Sequence, residues 1–143
     1  MIVFLSIWIL FSPPIDQDKK DLWDVFGKVK FESIFNEKES TYLLYPEFTN
    51  ELKEMEGKEV EITGFYIPMS LDANVIVISR TNYASCFFCG NAGPETVVEV
   101  EPKNKFRDFT MDEKITIRGK LRLNRDDIFR LNFIIKEGEV VDE

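Results

Sequence analysis

"KITIRGKLRLN", Lys114 to Asn124, alternates over nearly its whole length. Ile115, Ile117, Gly119, Leu121 and Leu123 fall on one side, and Lys114, Thr116, Arg118, Lys120 and Arg122 on the other. A period of two sustained this long marks a strand with one face in a core and the other in water. A glycine in the inward row marks a place where the backbone bends or a neighbour crowds it. "EVEITGFYI", Glu59 to Ile67, repeats the pattern. Val60, Ile62, Gly64 and Tyr66 oppose Glu59, Glu61 and Thr63, and Pro68 ends the run.

Working outward, "NVIVIS" (Asn74 to Ser79) is nearly all apolar and predicts a strand covered on both faces. "TVVEVEP" (Thr96 to Pro102) sets Val98 and Val100 against Glu99 and Glu101. "IFRLNFIIKEGEVV" (Ile128 to Val141) predicts a strand with Phe129, Leu131, Phe133 and Ile135 on one side. "KVKFESIF" (Lys28 to Phe35) has strand-like content, and Glu37 to Ser40 read as a polar turn. "TNELKEMEGK" (Thr49 to Lys58) predicts a short helix, with Thr49 or Asn50 as cap and Gly57 as stop. "KNKFRDFTMDEK" (Lys103 to Lys114) reads as a polar connection with a single turn of helix. Closely spaced strands with little helix predict an all-β domain. The order of three strands, a connection and two strands, with two inward glycines, favours a five- to six-stranded OB-like barrel with short helical connections over a sandwich.

The chain of 143 residues divides into a hydrophobic leader and linker, 1–20, and one barrel domain, 21–143. Thirteen phenylalanines make that domain aromatic-rich. Eighteen basic against twenty-six acidic residues, a net charge of −8, oppose non-specific attraction to nucleic acid or to anionic lipid. Arg118, Lys120 and Arg122, with Arg130 and Lys136 beside them, form an outward cationic row that on an OB-like barrel could hold single-stranded nucleic acid. Glu59 and Glu61 stand ready to pair with it, so the expectation is a solvated, charge-paired face and no nucleic-acid partner. Asp112-Glu113 and Asp126-Asp127 are expected in turns, for backbone reasons. There is no histidine, which excludes Ser-His-Asp and Cys-His catalysis within this chain and removes the commonest zinc ligand.

The amino-terminal run Ile2 to Phe11 is apolar except for Ser6 and is broken by Pro13-Pro14. It is shorter than the roughly 20 residues a spanning helix needs and fits the hydrophobic region of a secretory signal. No Lys or Arg precedes it and no small-x-small cleavage site follows. An upstream start, an uncleaved anchor and a buried amino-terminal strand remain open. Export to the periplasm or cell envelope is the expectation, with membrane contact only peripheral and only through this leader.

Cys86 and Cys89, the only cysteines, lie in "SRTNYASCFFCGNAGPETVVEV" (Ser79 to Val100). Cys-x-x-Cys-Gly is half of a zinc knuckle: the spacing lets both sulfurs face one ion, and Gly90 permits the tight turn behind them. Glu95 or Asn91 could add oxygen, or a second copy could complete a four-sulfur site. In an oxidising compartment the pair can instead close as a disulfide whose small loop gives little entropic gain. A thioredoxin-type thiol should open a helix, which Gly90, Gly93 and Pro94 oppose. Tyr83, Phe87 and Phe88 make the loop aromatic, either as a contact surface beside the barrel mouth or as a plug for one barrel end.

"LKEMEGKEVEITGFYIPM" (Leu52 to Met69), the cysteine loop, "ETVVEVEP" (Glu95 to Pro102) and Ile115 to Val141 together resemble a family of exported bacterial proteins. That family is catalogued as a domain of unknown function with an OB-like β-barrel, and the likeness spans about Leu22 to Val141. Some members are encoded near zinc-responsive transporter genes, so the resemblance implies metal handling. Members often carry Cys-x-His and a proline run where this chain has "CFFCGNAGPE", so only Cys86 is matched. The expected function is non-enzymatic binding of a small ligand, a metal ion or an envelope protein. Its sharpest form is a zinc-handling accessory using Cys86, Cys89 and Glu95. The alternatives are a thiol-disulfide protein using the same cysteines and an assembly module whose disulfide stiffens a loop.

Overall fold

The computed structural model describes residues 20–69 and 74–141. The run Ile2 to Phe11, on which the export expectation falls, lies outside the described residues. The elements in order are α1 (Leu22–Phe26), β1 (Lys30–Asn36), β2 (Thr41–Glu47), α2 (Asn50–Met55), β3 (Glu59–Ile67), β4 (Ile76–Ser79), β5 (Val97–Pro102), β6 (Lys114–Leu123) and β7 (Phe133–Val140). No helix among the described residues is long and apolar enough to cross a membrane.

Strands β3, β4, β5, β7 and β6 close in that order into a barrel. Every pairing is antiparallel except β5 with β7, which is parallel. The fold is all-β and OB-like, as the strand patterns predict. The inward rows are the ones that alternation marks: Val60, Ile62 and Tyr66 of β3 join Ile115, Ile117, Leu121 and Leu123 of β6 in one core with Ile78, Val98, Val100, Phe133 and Ile135.

The inward glycines stand where the barrel is tightest. A β-carbon on Gly119 would lie 2.5 Å from the Lys136 carbonyl oxygen and 2.5 Å from the Ile135 side chain on β7. The β6–β7 register shifts there, between Arg118 and Lys120, so glycine permits the bend that closes the sheet. At Gly64 a β-carbon would meet the Ser79 carbonyl oxygen at 2.6 Å.

Helix α1 closes one end and was not legible in the sequence, because five residues are too few to show a helical period. The Asp21 side chain caps it by accepting from the Trp23 amide at 3.0 Å. Trp23 Nε1 then donates to the Thr63 carbonyl on β3 at 2.7 Å, and Phe26 stacks on Phe133 with centroids 4.0 Å apart. α2 forms as expected, with Thr49 Oγ1 accepting from the Leu52 amide and Gly57 at φ +80 beyond its end.

Two expectations are corrected. The connection between β5 and β6 contains no helix; it runs extended and bonds the end of β3, Tyr66 N to Glu113 O at 2.8 Å and Asp112 N to Tyr66 O at 3.0 Å. The strand expected from Ile128 begins only at Phe133, and Phe129 is 78 % exposed. Asn124 holds residues 124–132 as a loop: its Oδ1 accepts from Asp127 N, and its Nδ2 donates to the carbonyls of Asp127 and Leu131. The strand expected in "KVKFESIF" forms as β1 and, among the described residues, pairs with β2, a strand not singled out in the sequence, in a hairpin separate from the barrel. Phe35, Tyr42 and Leu44 share one face of it and are at least half exposed.

Candidate functional site

Strand β4 is as apolar as a doubly covered strand should be, and Val77, Ile78 and Ser79 are fully buried. Ile78 points into the barrel, whereas Val77 joins Ile67, Val97 and Cys86 in a second cluster. Phe87, Phe88, Met69 and Leu131 pack against that cluster. The cysteine loop therefore lies along the outer face of β3, β4 and β5. Both phenylalanines pack on this outer cluster, where the outward apolar side chains of β3 to β5 need cover.

Two consecutive turns of 3-10 helix, Tyr83–Ser85 and Phe87–Cys89, shape the loop. Asn82 caps the first by accepting from the Ser85 amide at 3.2 Å. In the second, Cys89 N donates to Cys86 O at 3.2 Å and Gly90 N to Phe87 O at 2.9 Å. Gly90 has φ +75, the left-handed conformation that the turn after Cys89 requires. This turn places both cysteines at its ends, with Cys86 buried and Cys89 exposed. Cys89 Sγ also donates to the Tyr83 carbonyl at 3.2 Å. Desolvation first, and the neighbouring Cys86 second, push the Cys89 thiol up from its ordinary value.

The oxygen donors behave differently. Glu95, half-buried in the 3-10 turn Pro94–Thr96, folds its carboxylate back over Gly93, where a β-carbon would lie 2.1 Å from Oε2. The Asn91 side chain donates to the Ala84 carbonyl at 2.8 Å. Among the described residues no group of three or more Cys, Asp or Glu side chains is placed to hold a metal ion. One chain supplies two sulfurs, half of the four ligands a structural zinc takes. Tyr83 is exposed, and its amide donates to Asp112 Oδ1 at 2.7 Å, tying the loop to the turn before β6.

Of the outward cations Arg118, Lys120 and Lys136 are paired, whereas Arg122 has no acidic partner within 4 Å among the described residues. Arg118 bonds Glu61 at 3.1 Å across β3 and β6, with Glu59 at 3.9 Å, and Lys120 meets Glu137 at 2.8 Å. Arg130 does not belong to this row. It bonds Glu99 and Glu101 of β5, and Glu99, only 1 % exposed, also accepts from the Leu131 amide at 3.1 Å. Hydrogen bonding to Glu99 drives the Arg130 pKa up, so the guanidinium stays charged. This clamp fastens the 124–132 loop against the outer face of β5.

Beside the cysteine loop the barrel carries an open cleft of about 490 Å³. Tyr66 and Ile76 line it from the barrel, and the β5–β6 connection supplies Lys105, Phe106, Arg107 and Phe109. The rings of Tyr66 and Phe109 are 5.4 Å apart, and those of Phe106 and Phe109 6.0 Å. The Arg107 guanidinium lies 4.4 Å over the Phe109 ring and bonds Glu113 at 2.6 Å. Met69 lines the cleft and also packs on the Cys86 cluster, so the two features share a wall. Sequence reading passed over this cleft. The available signal was "KFRDF", Lys105 to Phe109, which interleaves aromatic and basic residues inside a polar connection.

Neither a family model nor a curated protein matches the chain. Among solved structures it is similar to a DUF3299 family protein from Pseudomonas aeruginosa, with 10% sequence identity, 68% of each chain covered and a TM-score of 0.47. At that level the likeness carries no argument, and the fold stands on strand order and register.

Proposed function

We propose that this protein is a non-enzymatic binding module of the cell envelope in which Cys86 and Cys89 close as a disulfide. That bond would hold the loop bearing Tyr83, Phe87 and Phe88 against the barrel wall for a partner protein or small ligand. The observation that supports it is the single 3-10 turn separating the two cysteines, with Cys86 anchored under the loop and Cys89 at the surface. The burial of Cys86 and the single short turn after it disfavour a redox catalyst, whose attacking first thiol is accessible at the start of a helix that lowers its pKa. The apolar run Ile2 to Phe11 supports an oxidising, exported setting in which such a bond persists.

A second reading, zinc handling, is favoured by Gly90: its left-handed turn after the second cysteine is the backbone a knuckle half-site needs. Cys86 and Cys89 would then hold the ion, which would supply a cross-link, and the remaining ligands would come from another chain. The test is purification without reductant, followed by thiol counting, metal analysis and measurement of the reduction potential. No free thiols, no metal and a bond resistant to glutathione support the staple. One zinc per pair of chains, lost in Cys86→Ser, replaces it with the metal reading. A potential near that of disulfide catalysts refutes both.

A further inference from the structure

We infer that the cleft between β3, β4 and the β5–β6 connection is a binding site for a planar aromatic anion, such as an aromatic carboxylate or sulfonate. This site goes beyond the cysteine loop and stands independently of its redox or metal state. The cavity, about 490 Å³, is of the size that encloses a small organic molecule. Tyr66, Phe106 and Phe109 are each only partly buried, so ring surface remains open to a stacked guest. The charge at the mouth departs from that of the whole protein. In a chain of net charge −8, Lys105 and Arg107 both line this cleft, with Asp108 the one carboxylate among the described lining residues. Arg107 is already engaged by Glu113 and by the Phe109 face. Lys105 is exposed and has no acidic partner within 4 Å among the described residues, which leaves its ammonium for a ligand's charge. Aromatic faces below and a cation at the rim complement a flat apolar body carrying one negative group. The net negative charge elsewhere repels small anions that cannot also stack.

The test uses the full chain and two fluorescent probes that differ by one group: 8-anilinonaphthalene-1-sulfonate and the neutral N-phenyl-1-naphthylamine. The sulfonate should bind saturably, at one site, at least fivefold more tightly than the neutral probe. Lys105→Gln, a surface change that leaves the fold intact, should abolish that preference, and Phe106→Ala should weaken both probes about tenfold. Replacing Phe35 and Tyr42 of the exposed hairpin by Ser should leave both titrations unchanged. Equal affinity for the two probes, insensitivity to Lys105→Gln, or binding lost with the hairpin substitutions would overturn the inference. Backbone amide shifts on titration should concentrate at residues 105–109 and at Tyr66; shifts confined to the hairpin would overturn it equally.

Discussion

Gly119→Ala tests the geometric reason for the barrel's closure. The added methyl would sit 2.5 Å from the Lys136 carbonyl and 2.5 Å from the Ile135 side chain, and 3.2 Å from the Gly138 α-carbon. Ile135 can rotate, but Lys136 O belongs to a strand held between β5 and β6, so the backbone itself must move. Overpacking of this kind costs about 3 kcal/mol at the upper end of its usual range. The loss of chain freedom in the unfolded state offsets about 0.5–1 kcal/mol of that. A net destabilisation of about 2 kcal/mol follows. For a domain of roughly 120 ordered residues, with an unfolding entropy of about 0.25 kcal/mol/K, the melting temperature should fall by about 8 °C. Gly57→Ala is the control. Its φ of +80 strains any side chain, but nothing lies within 4 Å of the new methyl, so its cost should be only about 1 kcal/mol. Thermal melts followed by circular dichroism decide the matter. If Gly119→Ala melts within 2 °C of the parent, or no lower than Gly57→Ala, the close approach of β6 and β7 is not what demands glycine.

Two other outcomes follow from the same structure. Arg130→Met should destabilise the domain by about 3 kcal/mol, because it strands the buried Glu99 carboxylate with one amide donor; Glu99→Leu with Arg130→Met should recover at least half of that, and urea unfolding of the four-member cycle measures it. In the reduced protein Cys89 should alkylate before Cys86, and its rate should keep climbing past pH 9.0, since a raised pKa keeps the thiol protonated at neutral pH and supplies thiolate only in more alkaline solution. A rate already at its plateau near neutrality, followed by mass spectrometry with iodoacetamide, contradicts the described environment.

What one sequence could determine here was whatever is written in local alternation: the inward rows of β3 and β6, the doubly buried β4, the two crowded glycines and the cap of α2. These depend on side chains next to one another on a strand or within one helical turn, so their pattern survives in the linear text. The glycine after Cys89 was legible for the same reason, and the pairing of Arg118 with Glu61 followed once the outward rows of β3 and β6, each written locally, were set side by side. Only the tertiary structure decided that α1 closes the barrel, that Phe129 leaves the sheet, and that the cysteine loop covers its outer wall. The cleft, too, joins Tyr66 to Phe106 and Phe109 from segments far apart in the chain. Each of these depends on which apolar surface is left uncovered once the barrel has closed, a quantity set by long-range packing that no local period encodes.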